Sequence, residues 1–189
     1  PMNMLPDNYQ VQYHHYMAAF QRQDHTVEPQ VGSGPQVRIT SRMEVAVMPN
    51  HDLEIRRLTL LNHSDTPHRI RVTSYGEVVL APQSDDRRHP AFNKLFIESE
   101  YLAESHTILC HRRLRSSTEE PFFLAHSLAF RQEADVQVAP IGSRAEFLGR
   151  NGDFAAPLAL RKPLDEWNFT GSDLDPIFCL GIELTIPPR

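Results

Sequence analysis

Paired carboxylates at Asp85-Asp86, Glu119-Glu120 and Asp173 with Asp175 are the residues whose spacing first suggests chemistry. Two acidic side chains flanking a glycosidic bond can serve as acid and base, and the last pair has the D-x-D spacing of metal-dependent sugar transferases. Each pair nevertheless stands in a turn-like context, where such side chains bond their own backbone. They are read as turn residues, not as a catalytic pair.

Ten histidines offer imidazole, the commonest transition-metal ligand. His14-His15 would point to opposite faces of a strand, and His63, His68, His89, His106, His111 and His126 show neither HxH nor HExxH spacing. Gly32-Ser33-Gly34 lacks the flanking strand and helix that expose a serine nucleophile, and reads as a flexible loop. Cys110 and Cys179 form no CxxC or metal spacing; buried free thiols in a reducing compartment are expected, with one disulfide as the alternative. No metal and no cofactor is expected. Asn62-His63-Ser64 and Asn168-Phe169-Thr170 match the glycosylation acceptor pattern, which carries no weight without secretion.

The elements that must position these groups are strands. From Gln36 to Val47, Val37, Ile39, Met43, Val45 and Val47 share one face, while Arg38, Thr40, Arg42 and Glu44 share the other. Leu53 to Asn62 changes phase after Arg56-Arg57, which implies a bulge or cover on both faces. The turn-rich Asn62 to Arg69 links it to Ile70 to Leu80, so these two strands are expected to pair as a hairpin. Pro82 to Pro90 reads as a loop. Shorter runs follow at Leu95 to Leu102, Thr107 to Arg112, Phe122 to Phe130, Val136 to Ala139 and Arg144 to Leu148. Gly149 to Ser172 is irregular. Ile177 to Ile186 alternates, with Phe178, Leu180, Ile182, Leu184 and Ile186 on one face and Gly181 marking a bulge or a close approach of backbones. Met17 to Gln23 is the one other place where a helical turn fits. His89 to Tyr101 fits a helix entered through Pro90 or a loop followed by a strand; its strand-rich surroundings favour a loop over His89 to Lys94 and a strand over Leu95 to Leu102.

This pattern predicts an all-β fold, an antiparallel sandwich or open barrel. A chain of 189 residues, 40% hydrophobic and 23% charged, suits one sizeable core, so 1–189 is expected to form a single domain. Pro187-Pro188-Arg189 directly after a strand-like run suggests a fragment of a larger multi-domain protein. A net charge of −5 gives no electrostatic case for nucleic acid or anionic lipid. The pairs Arg56-Arg57, Arg87-Arg88 and Arg112-Arg113 are diluted by acidic residues and read as solvated faces. No run approaches the roughly 18 apolar residues that span a bilayer, so no direct membrane insertion is expected. Aromatic platforms for sugar are thin: Trp167, Tyr75 and Tyr101 read as partly buried rings with polar tips in water.

Five segments, Asp52 to Asp65, Arg71 to Pro82, His89 to Leu102, Ala145 to Arg150 and Leu174 to Gly181, occur in an order that carries a resemblance. The chain resembles the β-sandwich domain associated with glycoside hydrolase family 94, formerly glycosyltransferase family 36, and most nearly the sandwich regions of cyclic β-1,2-glucan synthases. Gln30 to Val37 is longer than the family's usual link. The resemblance implies a supersandwich, galactose-mutarotase-like in architecture, preceding an (α/α)6 barrel that holds the catalytic acid and the phosphate site; nothing here reads as that barrel.

The expectation is therefore a non-catalytic carbohydrate-associated domain of a synthase or phosphorylase, holding glucan or shaping access to a neighbouring catalytic domain on the cytoplasmic side. If sugar binds, the candidates are the loop Gln83 to Lys94 and nearby polar groups: Tyr75, Glu77, His89, Asn93, Lys94 and Glu98, which together supply the donors and acceptors a polyhydroxyl ligand needs. Expected partners are glucan or oligosaccharide and the neighbouring barrel, with a homodimer left open and no nucleic acid. The competing expectation is a packing or dimerisation module that touches no sugar. A free-standing hydrolase built on Asp173 and Asp175 is a minor third.

Overall fold

A computed structural model describes residues 8–25, 37–114, 116–117, 119–131 and 136–189. Gly32-Ser33-Gly34 and the Gln30 to Gln36 link lie outside the described residues. The chain divides into two compact units, one spanning Arg71–Leu184 and the other Asn3–Ile70 with Thr185–Arg189.

The second unit holds a four-stranded antiparallel meander of β1 (Asn8–His14), β2 (Met17–His25), β3 (Val37–Val47) and β4 (Glu54–Asn62). Met17 to Gln23 is strand, not helical turn, because Met17, Ala18, Ala19 and Phe20 pair with Ala46, Val45, Glu44 and Met43. β3 and β4 run in continuous register from Ile39↔Asn62 to Val47↔Glu54, with no bulge. The phase change in β4 has another cause: its side chains are mostly exposed, so neither face enforces one phase. The register aligns Val11, Phe20, Met43 and Leu58 in one rung, flanked on the same face by Tyr9, Tyr13, Val45 and Val47. This apolar face is open to solvent, up to 80% at Tyr13. The opposite face carries Gln10, Gln12, Gln21, Arg42 and Glu44, with Arg57 donating to Glu44 at 2.7 Å.

The expected hairpin does not form. β4 is the edge of that meander, whereas β5 (His68–Thr73) belongs to a different sheet. Asn62 accounts for the departure: its buried amide donates to Thr66 O (2.8 Å), Pro187 O (3.1 Å) and Ile186 O (3.4 Å), and its Oδ1 accepts from Ser64 N (3.0 Å) and Ser64 Oγ (2.8 Å). A buried amide with both ends satisfied fixes the turn. It also removes Asn62 as a glycan acceptor.

The first unit follows as β6 (Gly76–Glu77), α1 (Gln83–Arg88), α2 (Pro90–Lys94), β7 (Ile97–Leu102), β8 (Thr107–Arg112), β9 (Phe123–Ser127), β10 (Val138–Ser143), α3 (Arg144–Leu148) and β11 (Pro176–Ile186). Two antiparallel sheets result, β7-β8-β9 and β10-β11-β5, with β6 also on β11. The loop expected over Pro82 to Lys94 is two short helices. Asp85 and Asp86 near the first amides and Arg87 and Arg88 near the last carbonyls suit the backbone dipole of α1, and Pro90 opens α2, where a missing N–H costs nothing. Arg144 to Leu148 is helix, not strand, because Ser143 Oγ accepts from Glu146 N at 3.4 Å and caps it.

β11 is covered on both faces, not on one. Ile177 and Cys179 pack with Ile141, Phe147, Leu164 and Trp167, while Leu180 packs with Val78, Ile97, Ile108 and Cys110. At Gly181 the close approach is by a ring, not a backbone: a Cβ there would lie 2.4 Å from Trp167 Cζ3.

Both cysteines are free and buried. Burial pushes the Cys110 thiol up to about 11 and the Cys179 thiol higher still. The folded chain thus keeps protons that an unfolded thiol gives up near about pH 8.5. Their contribution to stability is complete below that value and is lost as pH rises toward about 11, so the denaturation midpoint is expected to fall over that interval. A thiol-specific reagent should label neither cysteine until the chain unfolds; labelling at the rate of a free thiol would contradict this packing.

Candidate functional site

Strand pairing gathers the charged groups of the first unit. β10 meets β11 at Ser143↔Pro176, and β11 meets β6 at Ile177↔Glu77. The flanking residues Arg144, Asp175 and Glu77 are therefore brought to one place, anchored by Arg144 N donating to Asp175 O at 3.0 Å. α2 ends there with Lys94, and Tyr75 arrives two residues before Glu77.

Two cations and two carboxylates interlock. Lys94 Nζ donates to Asp175 Oδ1 and lies 3.7 Å from Glu77 Oε2. Arg144 lies 3.3 Å from Glu77 Oε1 through Nε and 3.7 Å from Asp175 Oδ2 through Nη1. Tyr75 donates its hydroxyl to Glu77 Oε1 at 3.2 Å. Burial, then the charge and hydrogen bond of Glu77, push the Tyr75 phenol up to about 12, so it stays a donor at neutral pH. Its ring packs against Phe147 at 4.8 Å and meets Phe154 edge-on at 5.0 Å, and Arg144 Cζ sits 5.7 Å from the centroid of the exposed Phe154 ring. Glu77, Arg144 and Asp175 remain 43%, 37% and 35% exposed in their side chains. Such a surface offers hydroxyl donors, hydroxyl acceptors and an aromatic face together.

Of the six residues singled out by sequence, Tyr75, Glu77 and Lys94 meet here. Asn93 does not: it is buried, its N–H donates to His89 O at 3.1 Å, and its Oδ1 accepts from Arg112 Nη2 at 3.4 Å. His89 is exposed at the junction of α1 and α2. Glu98 lies on β7, where it contacts His111 and Arg113 instead. Arg144 escaped the sequence reading, Asp175 was noted only for its D-x-D spacing and read as a turn residue, and Phe154 escaped it. The first two follow from pairing across about 30 residues, a relation that local periodicity cannot reveal; the Ser-x-x-Glu capping signature at Ser143–Glu146 was the local cue to α3.

The other sequence signals resolve as packing. Asp173 Oδ1 accepts from Asp175 N at 2.9 Å, a backbone turn that explains the D-x-D spacing. No group of three potential metal ligands occurs among the described residues. Arg112 is buried, not solvated, donating to Leu80 O at 3.3 Å and lying 5.6 Å from the Phe96 centroid. Trp167 is a core residue whose Nε1 donates to Ala159 O at 3.1 Å.

The family described as "Glycosyl hydrolase 94, supersandwich domain" matches residues 1–189. Cyclic beta-(1,2)-glucan synthase NdvB of Rhizobium meliloti (strain 1021) is 32% identical over 149 residues, which cover 79% of this chain and 5% of the relative. The chain thus corresponds to a small part of that relative's length.

Proposed function

The chain belongs to the glycosyl hydrolase 94 supersandwich domain family, and from that premise we propose that it is a non-catalytic, carbohydrate-associated domain of a cyclic β-1,2-glucan synthase or related phosphorylase. It holds glucan at the Tyr75 cluster and shapes access to a neighbouring catalytic domain on the cytoplasmic side. The observation that carries this reading is the joint presence of Glu77, Lys94, Arg144 and Asp175, partly exposed, beside the exposed Phe154 ring. Polar groups that fix orientation, next to an apolar face, are what a sugar site requires. The non-catalytic part is supported by geometry: each carboxylate lies 3.7 Å or less from two cations that hold it in place, an arrangement suited to orienting hydroxyls.

Calorimetric titration with β-1,2-gluco-oligosaccharides tests the site. Glu77→Gln and Arg144→Ala are each expected to weaken binding about tenfold, the value of a charged hydrogen bond to ligand. Their thermal stability should stay near that of the parent chain, since exposed ion pairs contribute little. Unchanged affinity in both variants would remove the cluster from the account.

A packing or dimerisation module is the second reading, favoured by the solvent-open apolar face of the β1–β4 meander. On that reading the sugar titration is silent, and sedimentation shows association that depends on chain concentration.

A further inference from the structure

The outer side of the β7-β8-β9 sheet carries a chain of contacts separate from the Tyr75 cluster. Glu98↔His111 and His111↔Phe123 are successive cross-strand pairs, so the three side chains share one face in one row. Glu98 Oε2 lies 3.1 Å from His111 Nε2, and the His111 and Phe123 ring centroids are 6.1 Å apart at 31°. In the other direction Glu98 Oε1 lies 3.7 Å from Arg113 Nη1. Arg113 Cζ is 5.7 Å from the Phe96 centroid, and Phe96 meets Phe92 edge-on at 5.2 Å. The two terminal rings are the more exposed, Phe92 at 53% and Phe123 at 62%.

We propose that this strip, from Phe92 and Phe96 through Arg113, Glu98 and His111 to Phe123, is a second carbohydrate contact that takes a glucan oligosaccharide laid across the three strands. Three adjacent strands span on the order of 10 Å, longer than one sugar ring. The exposed phenyl groups present apolar faces to pyranose C–H groups. Between them a carboxylate accepts from hydroxyls and a guanidinium with five N–H groups donates to them. The anion and cation face each other, so the strip attracts neither polyanions nor polycations and suits a neutral polyhydroxyl ligand. The inference rests on the glucan-holding reading above and adds to it a length requirement: longer oligosaccharides gain contacts that a disaccharide cannot reach.

The test is NMR titration of the 189-residue chain with linear β-1,2-gluco-oligosaccharides of graded length, comparing the parent with Phe123→Ala and Glu98→Gln. Amide shifts are expected at Glu98, His111 and Phe123, and each substitution should raise the Kd for long oligosaccharides about tenfold while perturbations around Tyr75 persist. Shifts confined to the Tyr75 cluster, with unchanged Kd in both variants, overturn the strip alone. No shift anywhere at millimolar sugar overturns the strip and the glucan-holding reading together.

Discussion

Trp167→Ala is expected to lower the free energy of unfolding by about 3–5 kcal/mol, the range for removing a large buried aromatic. The indole fills the space over Gly181 that any Cβ would occupy, packs with Leu164, Phe147 and Cys179, and donates its N–H to Ala159 O. Truncation therefore leaves a cavity and removes one of the two hydrogen bonds on the Ala159 carbonyl, the other coming from Lys162 N at 3.2 Å. Small domains carry about 5–15 kcal/mol in total, so the loss consumes a large share. Urea denaturation should show a lower midpoint with little change in slope. A shift below about 1 kcal/mol would mean that the odd-numbered face of β11 is not covered in this way.

Arg71→Ala is expected to cost about 3 kcal/mol, the low end of the range for breaking one side of a buried ion pair, because this pair is largely but not fully withdrawn from water. The guanidinium joins three parts of the first unit: it donates through Nε to Glu183 Oε1 at 3.0 Å, through Nη1 to Lys162 O at 2.5 Å, and its Cζ lies 5.8 Å from the Trp167 ring centroid. Removing it leaves the Glu183 carboxylate with only 17% side-chain exposure and deprives the segment around Lys162 of its tie to β5. Arg71→Lys should recover less than half of the loss, because an ammonium cannot copy the fork that reaches carboxylate and carbonyl together. Full recovery by lysine would show that only charge matters there. Since Arg71 touches Trp167, the double variant should lose less than the sum of the two singles.

The fold class was legible because period-two alternation is local. β8 spans Thr107–Arg112, the same residues that alternation marks, and β3 differs from its expected start by one residue. What escaped depends on capping or on distant pairing. Arg144 to Leu148 is too short for a helical period to show, and Ser143 with Glu146 decides it. The β4 to β5 turn looks like a hairpin in isolation, but Asn62 binds the carbonyls of Ile186 and Pro187 more than 120 residues away. For β11, Phe178 to Ile186 alternates cleanly, yet Ile177 and Cys179 are also buried because Trp167 and Phe147 cover the second face.

The candidate site was half legible for the same reason. Tyr75, Glu77 and Lys94 lie in chemically mixed segments that draw attention by type. Arg144 is ordinary in its own segment and Asp175 reads there as a turn residue of the D-x-D pair; both gain their place in the cluster only when β10 and β6 both pair with β11. Asn93 and Arg112 show the converse error: an amide suited to sugar and an arginine suited to solvent are spent on each other inside the unit.

Whether the domain contacts glucan without cutting it is decided by titrating the isotope-labelled 189-residue chain with β-1,2-gluco-oligosaccharides while assaying the same samples for reducing sugar. Saturable amide shifts are expected at Tyr75, Glu77, Lys94 and Asp175, with no release of reducing ends. Absence of shifts at millimolar ligand, or release of reducing sugar that Asp173→Asn with Asp175→Asn abolishes, would contradict that expectation.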